Sequence, residues 1–199
     1  MRIPWQILAL LPMLAAPAFG EQRNFEYCTV CHGAQGNGNP AIRAPRIAGL
    51  EPWYLKNQLN AFKAGWRGTH AEDAAGNEMR PVAEALSTTE IDQAVAYVAT
   101  LAGKPLPSTV SGDIAHGKTL YSGCVACHGE RAEGKQSAHA PALTDRTDWY
   151  LVAQLRNYRA GLRGDNKADT NGQQMRAIAV SLSNDYAIED LVSYINLLR

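Results

Sequence analysis

The sequence predicts an all-α chain in which one small helical domain is built twice in tandem. Three observations carry this. Shifting the sequence by 96 residues lays Cys28, Cys31 and His32 on Cys124, Cys127 and His128. Apolar residues in both copies recur at helical spacing. No stretch sustains the period-two alternation of β-branched residues that marks a strand.

The repeat runs well beyond the cysteines. It carries Pro45 to Pro141, Trp53-Tyr54-Leu55 to Trp149-Tyr150-Leu151, Gln58 to Gln154 and Leu59 to Leu155. It also pairs Gly65, Arg67 and Gly68 with Gly161, Arg163 and Gly164, and Gly76 and Met79-Arg80 with Gly172 and Met175-Arg176. After Ser87/Ser183 one residue is inserted and the offset becomes 97, pairing Ile91 with Ile188, Val95 with Val192 and Tyr97 with Tyr194. Long self-similarity of this kind marks a duplicated unit.

The elements follow in order. Asp113 caps a short helix from Ile114 to Ser122 that leads into the second cysteine pair. A Gly-rich loop comes next in each copy. A helix is then expected from Trp53 to about Ala64, with Pro52 in its first turn and Leu55, Leu59 and Phe62 on one stripe. Its counterpart buries Leu151, Leu155 and Tyr158, and Gly65 and Gly161 follow as left-handed stops. Met79 and Met175 fall in the loop beyond, with Pro81 close behind the first. The last helix begins near Ser87 with Glu90 completing a capping box, and buries Ile91, Val95 and Val98. Its counterpart buries Ile188, Leu191, Ile195 and Leu198.

Residues 1–20 stand apart. Arg2, an apolar run broken by prolines, and Ala18-Phe19-Gly20 match a secretory signal peptide, and the run is too short and interrupted for a span. Export to the periplasm is expected, with no integral membrane segment after cleavage. Domains are expected at 21–103 and 113–199. The Gly-, Pro- and Ser-rich segment 104–112 reads as a linker. The 46% apolar and 19% charged composition suits a globular chain. The formal net charge of zero gives no sign of a nucleic-acid partner.

Cys-x-x-Cys-His is the attachment signal of c-type haem. Two cysteines three apart each form a thioether to one vinyl of the same porphyrin, and the adjoining histidine reaches the iron. Two such motifs at the repeat spacing predict two covalently bound haem c groups, held by Cys28 and Cys31 and by Cys124 and Cys127. A zinc ribbon wants its pairs some 15–20 residues apart, a thioredoxin-like pair wants a βαβ context, and a bond within C-x-x-C staples little. His32 and His128 are the expected proximal ligands. Beyond residue 20 the chain has two methionines, Met79 and Met175, each 47 residues after its own motif histidine. That placement makes them the expected sixth ligands, against the blander role of core filler. Iron closed on both sides passes electrons and leaves no place for peroxide, so no enzyme activity is expected; a diheme peroxidase would need an open site.

Other residues carry weaker signals. His70, His116 and His139 lack repeat partners and read as surface or loop residues. Arg67/Arg163 and Arg80/Arg176 recur, and suit either haem propionates or a solvated face. Trp53/Trp149 and Tyr54/Tyr150 read as packing rather than a conduit.

The paired motifs, the repeated WYLxxQLxxFxAGxRG, the Met-Arg and the closing LSxxEIxxxxxYVxxL together resemble the diheme class I cytochromes c typified by cytochrome c4. The likeness covers residues 24–199. It implies two cytochrome c folds with haem edges facing across a pseudo-twofold interface. It also implies redox protein partners: a quinol-oxidising cytochrome complex as donor and a terminal oxidase or reductase as acceptor. Related diheme chains accept electrons from sulfide, thiosulfate or alcohol dehydrogenases.

Overall fold

The computed structural model describes residues 24–104, 107–144 and 146–199. The expected signal peptide lies outside them. Two helical halves follow one another, and among the described residues no strand forms; Asn39–Ala44 and Lys135–Ala140 make only single bridges. The first half contains α1 (Tyr27–His32), α2 (Pro52–Lys63), α3 (Ala74–Glu84) and α4 (Thr88–Ala99). The second contains α5 (Ile114–Tyr121), α6 (Val125–His128), α7 (Asp148–Ala160), α8 (Thr170–Ala179) and α9 (Asp185–Leu197). No helix among the described residues is long and apolar enough to cross a membrane.

Local chemistry fixes the helix ends. Asp113 accepts from the Ala115 and His116 backbone N–H groups and starts α5. Ser87 and Glu90 form the reciprocal capping box of α4. Each half then closes over its own core. Leu55, Leu59, Phe62, Leu86, Ile91 and Val98 fill the first, while Leu151, Leu155, Tyr158, Ile188, Leu191 and Ile195 fill the second. Val95 and Leu198, expected inside, only border these cores; Ala94 takes the buried place on α4. Helices α5 and α9 cross at close range because Gly117 has no side chain, and a Cβ there would sit 2.0 Å from the Asp190 carbonyl oxygen.

A second expectation fails. Met79 and Met175 lie on helices α3 and α8, not in loops. Asp73 and Asp169 cap these helices by accepting from the N–H of Gly76 and Gly172. Pro81 rides inside α3 without ending it.

The segment between the halves is tied at both ends. Asn37 accepts from the Lys104 N–H at 2.7 Å, and the Arg46 guanidinium donates to the Lys104 carbonyl. At the far end Asp148, 1% exposed, gathers the Thr109 N–H and hydroxyl, the Val110 and Trp149 N–H groups and the Asn196 amide.

The halves meet across a near-symmetric polar seam. Arg67 donates to Gln58 of its own half at 2.7 Å and to Gln154 of the other at 3.1 Å. Arg163 donates to Gln154 at 2.7 Å and to Gln58 at 2.8 Å. Each glutamine carbonyl therefore accepts from both arginines. Asn157 to Asp73, His70 to Asp165 and Arg146 to Glu51 also cross the seam, without counterparts under the repeat.

Candidate haem sites

Each half turns its motif histidine inward. His32 and His128 are buried, and their Nδ1–H groups donate to the carbonyls of Pro45 and Pro141 at 2.7 and 2.8 Å. The bond fixes tautomer and ring orientation, so Nε2 is the nitrogen left for a metal. Burial pulls both rings below the usual histidine range, opposed by the proline carbonyls, so both are neutral and ligand-competent at pH 7.

The loop that delivers this carbonyl is drawn in by glycine. The N–H groups of Gly38 and Gly134 donate to the carbonyls of His32 and His128 at 2.7 and 2.8 Å. Both glycines have positive φ, 89° and 80°. A Cβ on Gly134 would sit 2.3 Å from the Ala142 nitrogen, so only glycine lets the two segments approach this closely.

The structure gathers the remaining candidates half by half. Cys28 and Met79 both border the first core, and Cys124 and Met175 both border the second. Cys28 and Cys124 are half-buried and Cys31 and Cys127 exposed, and all four are free thiols. Burial raises the Cys28 thiol and pushes Cys124 up to about 11, as expected for thiols against an apolar wall. Among the described residues no three His, Cys, Asp or Glu side chains gather as a metal site, so the cysteines do not converge as a zinc ribbon requires.

The donor set fits haem c: in each half, two free thiols three residues apart, one imidazole with a free Nε2, and one soft thioether at the edge of the same core. The arginines add a second fit. Arg67 and Arg163 are each 5% exposed, which excludes the solvated-face alternative for this pair. Their guanidinium groups stack on Phe62 and Tyr158 at 4.2 and 4.5 Å, and their hydrogen-bond partners are neutral. Both Nε atoms are buried and unpartnered. A buried cation without an anion is costly, and the carboxylates of haem propionates would supply one. Burial works against the Arg163 charge, but Tyr158, Tyr54 and Tyr150 around it hold its pKa above the usual value. In turn, burial would raise Tyr150, and the Arg67 and Arg163 cations outweigh it and pull its phenol down.

The three histidines without repeat partners are engaged elsewhere or sit in a turn. His70 bonds to Asp165 at 2.9 Å, His116 to Asp190 at 2.8 Å, and His139 occupies a left-handed turn. Trp53 and Trp149 are half-buried, edge-on to Tyr54 and Tyr150 at 5.8 and 6.2 Å, and not part of either core. The roles of Pro45 and Pro141 were hidden in the sequence, although a repeated spacing of 13 residues from histidine to proline was there to be read.

Comparison with known proteins gives the family. The family model for cytochrome c matches residues 20–102 and again 114–199, and the chain belongs to that family. It is similar to a thiosulfate dehydrogenase electron acceptor of Stutzerimonas stutzeri (strain A1501), 34% identical over 76% of this chain and 72% of the relative. It is also similar to cytochrome c4 of Azotobacter vinelandii, 31% identical over 85% of this chain and 84% of the relative. The solved structure of reduced recombinant cytochrome c4 from Pseudomonas stutzeri superposes with a TM-score of 0.65 at 30% identity, covering 85% of this chain and 92% of that one. Within the family, then, this is a diheme cytochrome c4-like protein with two covalently bound haem c groups, and its work is electron transfer.

Proposed function

We propose that the chain is an exported, periplasmic electron carrier whose domains, 21–103 and 113–199 joined by 104–112, each hold one haem between their own histidine and methionine. Cys28 and Cys31, and Cys124 and Cys127, are the attachment residues in this reading. His32 with Met79, and His128 with Met175, are the axial pairs. The observation that carries it is the repeated arrangement: a buried imidazole aimed by a proline carbonyl, and a Cys and a Met against one core, twice.

The haem supplies a one-electron iron couple. His32 and His128 present Nε2 without a proton on it, and the proline carbonyls keep the rings from turning. A soft, neutral methionine sulfur favours the reduced metal and raises the potential. With an imidazole and a thioether both donated by the chain, no ligand position would remain for oxygen or peroxide. Arg67 and Arg163 bring positive charge to the seam between the halves, where it favours electrons on either side.

The preferred partners are a quinol-oxidising cytochrome complex as donor and a terminal oxidase or reductase as acceptor. A second reading, an electron-accepting subunit of a thiosulfate-type dehydrogenase, is favoured by the relatives of that name. Purification from the native periplasm separates them. A free carrier elutes alone and is oxidised rapidly by membranes bearing a terminal oxidase. Elution only in a stoichiometric complex with a dehydrogenase, with slow oxidation by those membranes, overturns the first reading in favour of the second.

A further inference from the structure

Glu51 stands at the N-cap of α2, where a side chain ordinarily bonds its own first turn; its carboxylate makes no such bond. It crosses the seam instead. One oxygen accepts from the Ala142 N–H at 2.6 Å, and the other from the buried Arg146 guanidinium at 2.6 Å. The Ala142 N–H and the Pro141 carbonyl belong to one peptide unit. That carbonyl accepts the His128 Nδ1–H at 2.8 Å. A continuous chain therefore runs from a carboxylate of the first half, through one amide, to the imidazole of the second. The repeat places uncharged Thr147 where Glu51 stands, so the carboxylate end of the chain belongs to one half only.

A carboxylate bound to an amide N–H draws the amide dipole towards itself and makes the carbonyl a better acceptor, because linked hydrogen bonds polarise one another. A stronger acceptor on Nδ1–H gives the ring more imidazolate character and raises its basicity as a ligand. A more basic ligand favours the oxidised metal. Arg146 neutralises most of the field that Glu51 exerts through space, so the effect through the peptide is the larger one.

The geometry points to Glu51 as a positioning residue for the second haem, polarising the Pro141–Ala142 peptide so that His128 binds iron more strongly and the potential of that haem alone is lowered. This rests on His128 being the proximal ligand. The two halves thus differ in redox behaviour through a contact that one lends the other. Loosening the seam would relax the difference.

The test uses the holoprotein and its Glu51→Gln, Arg146→Met and Asn157→Ala variants. Two quantities are read: the His128 Nδ1 proton resonance in the reduced state, and the midpoint of each haem from an NMR redox titration. In Glu51→Gln the His128 proton moves upfield and the His32 proton stays. The second haem is reduced more favourably by roughly three- to tenfold, tenfold being about 59 mV for one electron. Arg146→Met keeps the carboxylate, strips its neutralising cation and moves both readings the other way. Asn157→Ala breaks a different bond of the seam, to Asp73, and leaves the His128 proton in place. An unmoved His128 proton in Glu51→Gln, equal shifts at both haems, or the same change in Asn157→Ala would overturn the relay. Failure of the ligand assignment looks different: the wild-type His128 ring protons would then lack the large ring-current shift of an axial ligand.

Discussion

Replacing Asp148 by Asn tests how the second half is held together. The carboxylate is buried and receives five donors. An asparagine keeps one acceptor oxygen, best placed towards the Thr109 and Val110 N–H groups and the Asn196 amide. Its NH2 then faces the Thr109 hydroxyl, which can turn and accept, and the Trp149 N–H, which cannot. One orphaned buried donor costs about 1–3 kcal/mol, and three bonds lose roughly 1 kcal/mol each as their acceptor loses its charge. The total is about 4–6 kcal/mol. With a urea slope of about 2 kcal/mol/M for a small domain, the unfolding midpoint of the second half falls by about 2–3 M at pH 7. Burial pushes the Asp148 carboxyl up, but the Thr109 hydroxyl and the Thr109, Val110 and Trp149 N–H groups outweigh it and hold it below the usual range. A depressed folded value means the contribution is complete above the unfolded value of about 3.9 and is lost as pH falls through the folded one. The gap between wild type and Asp148→Asn should therefore be constant from pH 7 to 5 and close below about pH 4. A gap under about 1 kcal/mol at pH 7, or one already closed at pH 6, refutes the reasoning.

Gly134→Ala places a Cβ 2.3 Å from the Ala142 nitrogen, at a residue with φ of 80°; the pyridine haemochrome assay should then find about one haem per chain, and two retained haems would contradict the role given to this loop. Arg163→Met removes one of the two guanidinium donors from both Gln58 and Gln154. Spectroelectrochemistry should show both haems becoming harder to reduce, whereas a shift confined to one haem would show that the cation is not shared.

Much of the fold was legible because several helices announce themselves locally. Ser87 and Glu90 give the start of α4, Asp113 the start of α5, and Leu55, Leu59 and Phe62 the buried face of α2. The helices bearing the methionines were hidden because they hold Pro81, Gly76 and Gly172, residue types that disfavour a helix. In the structure Gly76 and Gly172 are buried against their capping aspartates, in a first turn where glycine is the only residue that fits. The candidate site was legible as residue types at a repeated spacing. What turns those residues into a site depends on contacts between segments far apart in sequence: the Pro45 and Pro141 carbonyls, the Arg–Gln seam and the reach of Glu51 to Ala142. Arg67 and Arg163 suit propionates or a solvated face equally in the sequence, which does not say that two halves will close over them.

The most direct test is to measure haem stoichiometry together with the near-infrared sulfur-to-iron band, in wild type and in Met79→Ala and Met175→Ala. The wild-type chain should bind two haems and show a band of two-haem intensity, and each variant should keep both haems while losing about half the band. A protein that matures without haem, or a band untouched by either change, would contradict the claim that each half closes its own iron between histidine and methionine.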